Sequence, residues 1–201
     1  MKVQLHLHTS RYSDCCAVTP GEMMQAAIRE GYEAVFITEH DAVWQDHELA
    51  WLRGQFPSLR IFPGLERSIG TWVQHLLVLG TNDPVYLDIS ETEKLLEAAR
   101  EGGHLTVLAH PLRWAEGAQM IHDGHLPDAM EYFTPNHDPY RARQAKDLAD
   151  RLGLPVVNSG DVHSVEMLQP YWIETHHPLE QADDIRQIVL DGAYTNCVRG
   201  E

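Results

Sequence analysis

The feature that most constrains this chain is a join that recurs along it: a short apolar run, ended abruptly by a polar motif, then a stretch with helical periodicity. Ala34 to Ile37 (AVFI) runs into Thr38-Glu39-His40-Asp41, and Arg60 to Phe62 into Pro63-Gly64-Leu65-Glu66. Leu105 to Ala109 ends at His110-Pro111, and Pro155 to Val157 leads into Ser159-Gly160-Asp161-Val162-His163. Apolar runs this short, bounded by turn signals, read as buried strands. Further strands are expected at Val3 to Leu7, Trp72 to Leu79, Ala129 to Phe133 (ending near Asn136) and, as the last, Tyr171 to Glu174.

The intervening stretches carry helix punctuation. Thr19 stands at an N-cap with Pro20 at the first helical position, and the helix stops at Gly31. Helices are also expected from Asp46 to Gln55, from Ser90 to Arg100 with a Ser90/Glu93 capping box, from Pro139 to Leu152 and from Leu179 to Leu190. Strands alternating with helices of this length imply an α/β fold with parallel pairing through right-handed crossovers. With about seven strands and no obvious linker, a closed or nearly closed barrel over residues 1–201, a single domain, fits better than a doubly wound open sheet. In both architectures ligands gather at the C-terminal ends of the strands, so the polar motifs point into one space.

Those motifs are rich in metal-ligand chemistry. His6 and His8, two apart on a strand, face the same side. Asp14 follows on the next loop, and His40, Glu66, His75, His110, Asp161 and His163 lie at or near later strand ends, with Asp161 and His163 repeating the two-apart spacing. Clustering such groups requires cations, because an unpaired buried charge costs several kcal/mol. Imidazole with carboxylate suits Zn, Mn or Fe, and the lack of a cysteine-rich set argues against a closed structural zinc site. Two or three divalent ions are therefore expected. The other histidines read as surface or part-buried groups, although His137, beside Asn136, could line the pocket.

Composition excludes some alternatives. Thirty acidic against fifteen basic residues give a formal charge of −15, which argues against stable nucleic-acid binding through a broad basic face. The three cysteines, Cys15, Cys16 and Cys197, make a poor disulfide framework and suit a reducing compartment. The N-terminus has histidines where a signal peptide needs an apolar run, and no apolar stretch approaches the roughly 20 residues of a membrane span. A cytoplasmic protein with no membrane association is expected.

With these residues in view, the sequence resembles the PHP (polymerase and histidinol phosphatase) family of metal-dependent phosphoesterases. The matching stretches are His6-Leu7-His8-Thr9 with Tyr12-Ser13-Asp14, Ile37 to Asp41, Gly64-Leu65-Glu66, His75 to Gly80, Ala109-His110-Pro111 and Ser159 to His163, in the family's order. The resemblance implies a distorted (β/α)7 TIM-like barrel with a trinuclear metal centre. His6, His8, Glu66 and Asp161 would hold one ion. Glu66 would bridge to a second, also held by His75 and His110, and Asp14, His40 and His163 would hold the third. The departures are Cys15 in place of a glycine, Glu39 in place of an aspartate, and Met167 and Leu168 where a glycine is frequent.

The chemistry expected is hydrolysis of a phosphate ester on a small phosphorylated metabolite or nucleotide. A metal-bridging hydroxide held by Glu66 is the nucleophile in this reading, with His163 as a candidate leaving-group acid and Arg113, then Arg11, as phosphate-binding forks. An amidohydrolase-like hydrolase and a non-enzymatic metal-binding module are the competing readings.

Overall fold

The computed structural model describes residues 1–70 and 73–200. Nine strands form one sheet: β1 (Lys2–Gln4), β2 (Ala34–His40), β3 (Arg60–Ile69), β4 (Gln74–Leu79), β5 (Leu105–Ala109), β6 (Ala129–Glu131), β7 (Val156–Val157), β8 (Tyr171–Thr175) and β9 (Tyr194–Val198). The spatial order is β7-β6-β5-β4-β3-β2-β1-β8-β9. Helices α1 (Pro20–Arg29), α2 (Asp46–Gln55), α3 (Val85–Asp88), α4 (Thr92–Glu101), α5 (Gln119–His122), α6 (Pro139–Leu152) and α7 (Asp184–Leu190) fill the connections. The architecture is a distorted, nearly closed TIM-like barrel.

The pairing is mixed rather than wholly parallel. β1–β2–β3 and β5–β6–β7 are parallel, but β4 runs antiparallel to both its neighbours and β8 antiparallel to β1 and β9. β3 and β4 are joined by too few residues for a crossover, so they form a hairpin. Reversal brings the start of β4, with His75, to the end of the barrel where the parallel strands finish. The expected Trp72 start of this strand lies outside the described residues.

The sheet's two edges meet through side chains. Asn158 N donates to Asn196 Oδ1 at 2.6 Å, and Tyr194 Oη and Asn196 Nδ2 donate to the Val156 carbonyl at 2.7 and 2.8 Å. Nearer the mouth, the segment after β7 pairs directly with the segment after β1: His8 N donates to Val162 O at 2.9 Å, and Val162 N to His6 O at 3.1 Å. The β8–β9 hairpin thus fills the lower part of a gap that the first and seventh strands close themselves at the top.

Alternation along the strands sorts the core into layers. Phe36, Phe62, Leu77, Leu79, Leu105, Val107, Ala129 and Val157 pack inside the barrel. Their neighbours Val35, Ile37 and Ile61 face α1 and α2, while Leu76, Val78, Leu108 and Met130 face α4 and α6. Just past β1 the phase changes: Leu5 is in the inner cluster and Leu7 in the outer one, so His6 and His8 turn inward.

The caps follow the sequence with one exception. Thr19 and Glu22 form a capping box on α1, and Asp138 accepts from Tyr140 N and Arg141 N ahead of Pro139 on α6, which Gly153 closes at φ 69°. The Ser90/Glu93 box does not form, because α4 starts at Thr92 with Glu91 as its N-cap and Ser90 falls one residue short.

Candidate metal centre

The inner face changes character at the mouth. Directly above the apolar layer, the phase that places Phe62 inside also places Glu66 there, and the β2–β3 register sets His40 opposite Glu66. Glu66 is fully buried, and five imidazoles surround its carboxylate. Oε2 lies 3.0 Å from His6 Nε2, 3.1 Å from His8 Nε2 and 3.0 Å from His40 Nδ1. Oε1 lies 2.6 Å from His75 Nδ1 and 3.1 Å from His110 Nε2. Asp161 Oδ1 completes the lower side, 3.2 Å from both His6 Nε2 and His8 Nε2.

Backbone strain marks the same place. Asp41, His110 and Asp161 are the described non-glycine residues with positive φ, at 45°, 30° and 39°. All three follow strand ends, and such conformations persist where the surroundings over-determine them. Gly160 is needed beside Asp161 because a Cβ there would fall 2.5 Å from Val162 Cγ2 and 2.7 Å from Gln4 Nε2. Its N–H donates to Gln4 Oε1 at 2.7 Å, tying the Asp161 turn to β1.

The electrostatics are those of a cation nest. Burial pushes the Glu66 carboxyl up, yet His6, His110 and His40 pull it well below the usual range. Asp161 behaves likewise, burial being overcome by His6 and His8. Burial lowers His6, but Asp161, Glu66 and Glu131 raise it well above an ordinary histidine. The carboxylates are so closely grouped that imidazolium protons are drawn in to neutralise them.

Whether metal ions fit can be judged from atoms that protons fail to satisfy. His8 Nε2 and Asp161 Oδ1 are buried without a hydrogen bond, although only 3.2 Å apart. Three groupings have ligand atoms within 4.8 Å of one another: His6, His8, Glu66 and Asp161; His40, Glu66 and His75; and His8, His40 and His163. Imidazole nitrogens and carboxylate oxygens converging in this way suit divalent transition metals.

Several residues that sequence reading singled out are placed differently. Asp14 is exposed and outside all three groupings. The inward position of its loop is taken by Ser13, whose Oγ lies 3.2 Å from His8 Nδ1, accepts from His40 N and donates to Glu39. His110 adjoins Glu66 Oε1 but does not complete a grouping. His137 is buried with both ring nitrogens on backbone: Nδ1 donates to Tyr132 O at 2.9 Å and Nε2 accepts from Leu112 N at 3.3 Å. It therefore has no free atom for a substrate and braces the turn after His110. Arg11 is paired with Glu48 and lies along a groove with Pro20, Trp44, His47 and Trp51 that contains none of the cluster. Arg113 is at the rim, its Nη1 3.8 Å from Asp161 Oδ2 and its guanidinium over the Trp114 ring.

Glu131 and Glu39 are the buried carboxylates that sequence reading did not place. Glu131 Oε1 accepts from His6 Nδ1 at 2.8 Å and from the Ser159 hydroxyl, and Oε2 accepts from His110 N at 2.6 Å. One carboxylate so orients the His6 imidazole and anchors the backbone of His110, two of the residues around Glu66. The signal was a lone acid two residues after inward-facing Ala129, in phase with it. Glu39 accepts from Thr9 N and Oγ1, Ser13 Oγ and Trp44 Nε1, fixing the loop after β1.

Comparison with known proteins bears on the fold. No family model matches the chain. It is similar to the DNA polymerase/3'-5' exonuclease PolX of Bacillus subtilis, 27% identical over an alignment 202 positions long that covers 84% of this chain and 35% of that protein. Among solved structures it resembles a two-domain protein of Bacteroides vulgatus containing a predicted PHP-like metal-dependent phosphoesterase. The TM-score is 0.76 at 17% identity, over 99% of this chain and 65% of that one. It also resembles an amidohydrolase of Chromobacterium violaceum with bound sulfate and no metal, with a TM-score of 0.65 at 15% identity over 81% and 88% of the two chains. The chain thus spans about a third of the curated relative and just under two thirds of the Bacteroides protein. Its barrel shares the fold of the Bacteroides protein that contains a predicted PHP-like metal-dependent phosphoesterase.

Proposed function

We propose that this chain is a hydrolase of phosphate esters, acting on a small phosphorylated metabolite or nucleotide with two or three divalent ions (Zn, Mn or Fe) at the barrel mouth. The observation that carries this reading is Glu66, both of whose oxygens are ringed by imidazoles. When bound, divalent ions supply Lewis acidity toward phosphoryl oxygens and a water-derived nucleophile near neutral pH.

The residues divide the remaining work. Glu66 would be shared between two ion positions, one with His6, His8 and Asp161 and the other with His40 and His75, with His110 beside it. Glu131 holds the His6 ring in ligating orientation and pins the backbone N–H of His110. Arg113, at the rim between Asp161 and Trp114, would receive two phosphoryl oxygens bidentately. Burial and the neighbouring His8 lower the pKa of His163, which keeps its ring neutral and suits a ligand better than a leaving-group acid. The charge of −15 supports a small substrate over a nucleic-acid duplex, and three free thiols support a reducing, cytoplasmic setting. Among the described residues no helix is long and apolar enough to cross a membrane.

The fold shared with the Chromobacterium amidohydrolase favours a second reading, attack on a carbonyl carbon by the same centre. One assay separates the two. Purified protein with added Mn is given p-nitrophenyl phosphate, bis-p-nitrophenyl phosphate and nucleotide mono- and diesters, alongside His8→Ala. Metal-dependent ester cleavage that His8→Ala abolishes is the expected result. Cleavage surviving in that variant overturns the proposal, and a deaminated or ring-opened product with no phosphoester cleaved transfers the chain to the second class.

A further inference from the structure

Glu131 orients the ring of His6 from behind, and His8, the other histidine of the pair, is backed by a hydroxyl instead. We propose that Ser13, held by Glu39, is the positioning residue that fixes the His8 proton on Nδ1 and so presents Nε2 to the ion shared with His6, Glu66 and Asp161. The inference rests on the metal-centre reading above.

Glu39 is fully buried, and four donors converge on its carboxylate. Oε2 accepts from Thr9 N at 3.1 Å and from Ser13 Oγ at 2.5 Å, and Oε1 accepts from Trp44 Nε1 at 3.1 Å and from the Thr9 hydroxyl. The Thr9 amide and the Trp44 indole can only donate, one to each oxygen, so both oxygens are held as acceptors. The Ser13 proton therefore lies toward Glu39. A serine hydroxyl has that one proton and two lone pairs. One lone pair takes the His40 backbone N–H at 3.2 Å, another donor that cannot reverse. The other faces His8 Nδ1 at 3.2 Å. Nδ1 must then carry a proton, whether the ring is neutral or an imidazolium.

The consequence falls on the far side of the ring. His8 Nε2 is buried without a hydrogen bond, 3.1 Å from Glu66 Oε2 and 3.2 Å from Asp161 Oδ1. With Nδ1 protonated, Nε2 holds the only lone pair with which this ring can ligate, and it lies beside the two carboxylates. His8 also stacks 4.4 Å from His40 and 4.3 Å from His163. A ring with one lone pair serves one ion, however, and the contacts with Glu66 and Asp161 give it to theirs. Ser13 reaches three parts of the mouth at once: the His8 ring, the His40 backbone and, through Glu39, the loop after β1. Its hydroxyl has no proton left to offer, which is what makes the His8 tautomer single-valued.

The test is nitrogen-15 NMR of the full chain, histidine-labelled and loaded with Zn2+, joined to a binding measurement. For the assigned His8 ring the expected pattern is a proton on Nδ1 and metal on Nε2. A proton on Nε2 in the wild type overturns the proposal, and no variant is needed to see it. In competition for Zn2+ against a chromophoric chelator, Ser13→Ala is expected to bind about ten- to a hundredfold more weakly, with an unchanged far-ultraviolet circular dichroism spectrum. Ser13→Thr, which keeps the hydroxyl, is expected to stay near the wild type. A folded Ser13→Ala protein that binds Zn2+ like the wild type, or that loses only melting temperature, shows a residue that packs the loop and overturns the positioning role. Wild-type protein that takes up no Zn2+ overturns the metal centre itself, and this inference with it.

Discussion

Glu131→Gln tests the centre without touching an ion ligand. All three partners of Glu131 are donors: His6 Nδ1 and the Ser159 hydroxyl on Oε1, and the His110 backbone N–H on Oε2. Glutamine matches the shape but offers one acceptor oxygen and one NH2. The His110 N–H cannot reverse, so the amide oxygen must face it, and the NH2 then faces His6 and Ser159. Ser159 can rotate its hydroxyl to accept. His6 must present its Nδ1 lone pair, which moves the ring proton to Nε2, the atom 3.0 Å from Glu66 and 3.2 Å from Asp161. A ligating nitrogen is lost with every ligand residue in place. Losing an orienting partner of a ligating histidine costs ten- to a hundredfold in metal affinity, about 1.4 to 2.7 kcal/mol. The reversed tautomer places this variant near the upper end. Competition for Zn2+ against a chromophoric chelator measures the loss, with circular dichroism reporting that the barrel is intact. Wild-type affinity in a folded Glu131→Gln protein refutes the tautomer reasoning.

Three further outcomes are expected. Phe36→Ala, which empties the barrel interior where Phe36 meets Phe62 at 5.1 Å, should cost about 3 to 5 kcal/mol in urea unfolding, and a cost below 1 kcal/mol would show a loosely packed interior. Arg113→Ala should raise the KM for a phosphoester by about ten- to a hundredfold, the worth of a hydrogen bond to a charged group, while Arg11→Ala, whose guanidinium is held by Glu48, changes it little; equal effects in steady-state kinetics would contradict the placement of the two arginines. In the metal-free protein, His6 has a folded pKa above its ordinary 6.5, so its stabilisation is complete below that pH and is lost as pH rises through the folded value. Melting temperature under chelation should fall as pH climbs above 6.5, while the upshift caused by Zn2+ grows as ions replace protons; a chelated protein whose melting point rises over that range counts against the assignment.

The α/β alternation and the joins at strand ends were legible because burial imposes them on local sequence. Inward-facing His6, Glu66, His75, His110 and Asp161 sit where strands terminate, and strand termini announce themselves through glycine, proline and a sudden change of polarity. Strand direction was not legible: β4 and β8 read like their parallel neighbours, since direction depends on the connection and not on composition. β9 was missed because Tyr194 to Val198 is half-buried and interrupted by Thr195 and Asn196, whose side chains serve the barrel's edge. Glu131 hid inside an apolar run, where its meaning depended on phase relative to other strands. The outward position of Asp14 was beyond motif reading, because a tight turn decides which side chain of that loop faces the site, and there it is Ser13. Nor could the sequence show that the two backbone partners of His137 would use up its ring.

The closure of the barrel gives the ions a mechanical consequence. Edge strands β7 and β9 are joined by a few side-chain hydrogen bonds, and the top of the gap is held by the short pairing of Leu7 with Val162. His6 and His8 stand on one side of that junction and Asp161 and His163 on the other, from opposite ends of the chain. An ion that bound both sides would clasp this seam of the cylinder, closing a very long loop much as a disulfide would. Amide hydrogens along Val156 to His163 are accordingly the ones whose exchange with solvent should slow most on loading. Occupancy of the site and integrity of the wall are then a single thermodynamic variable.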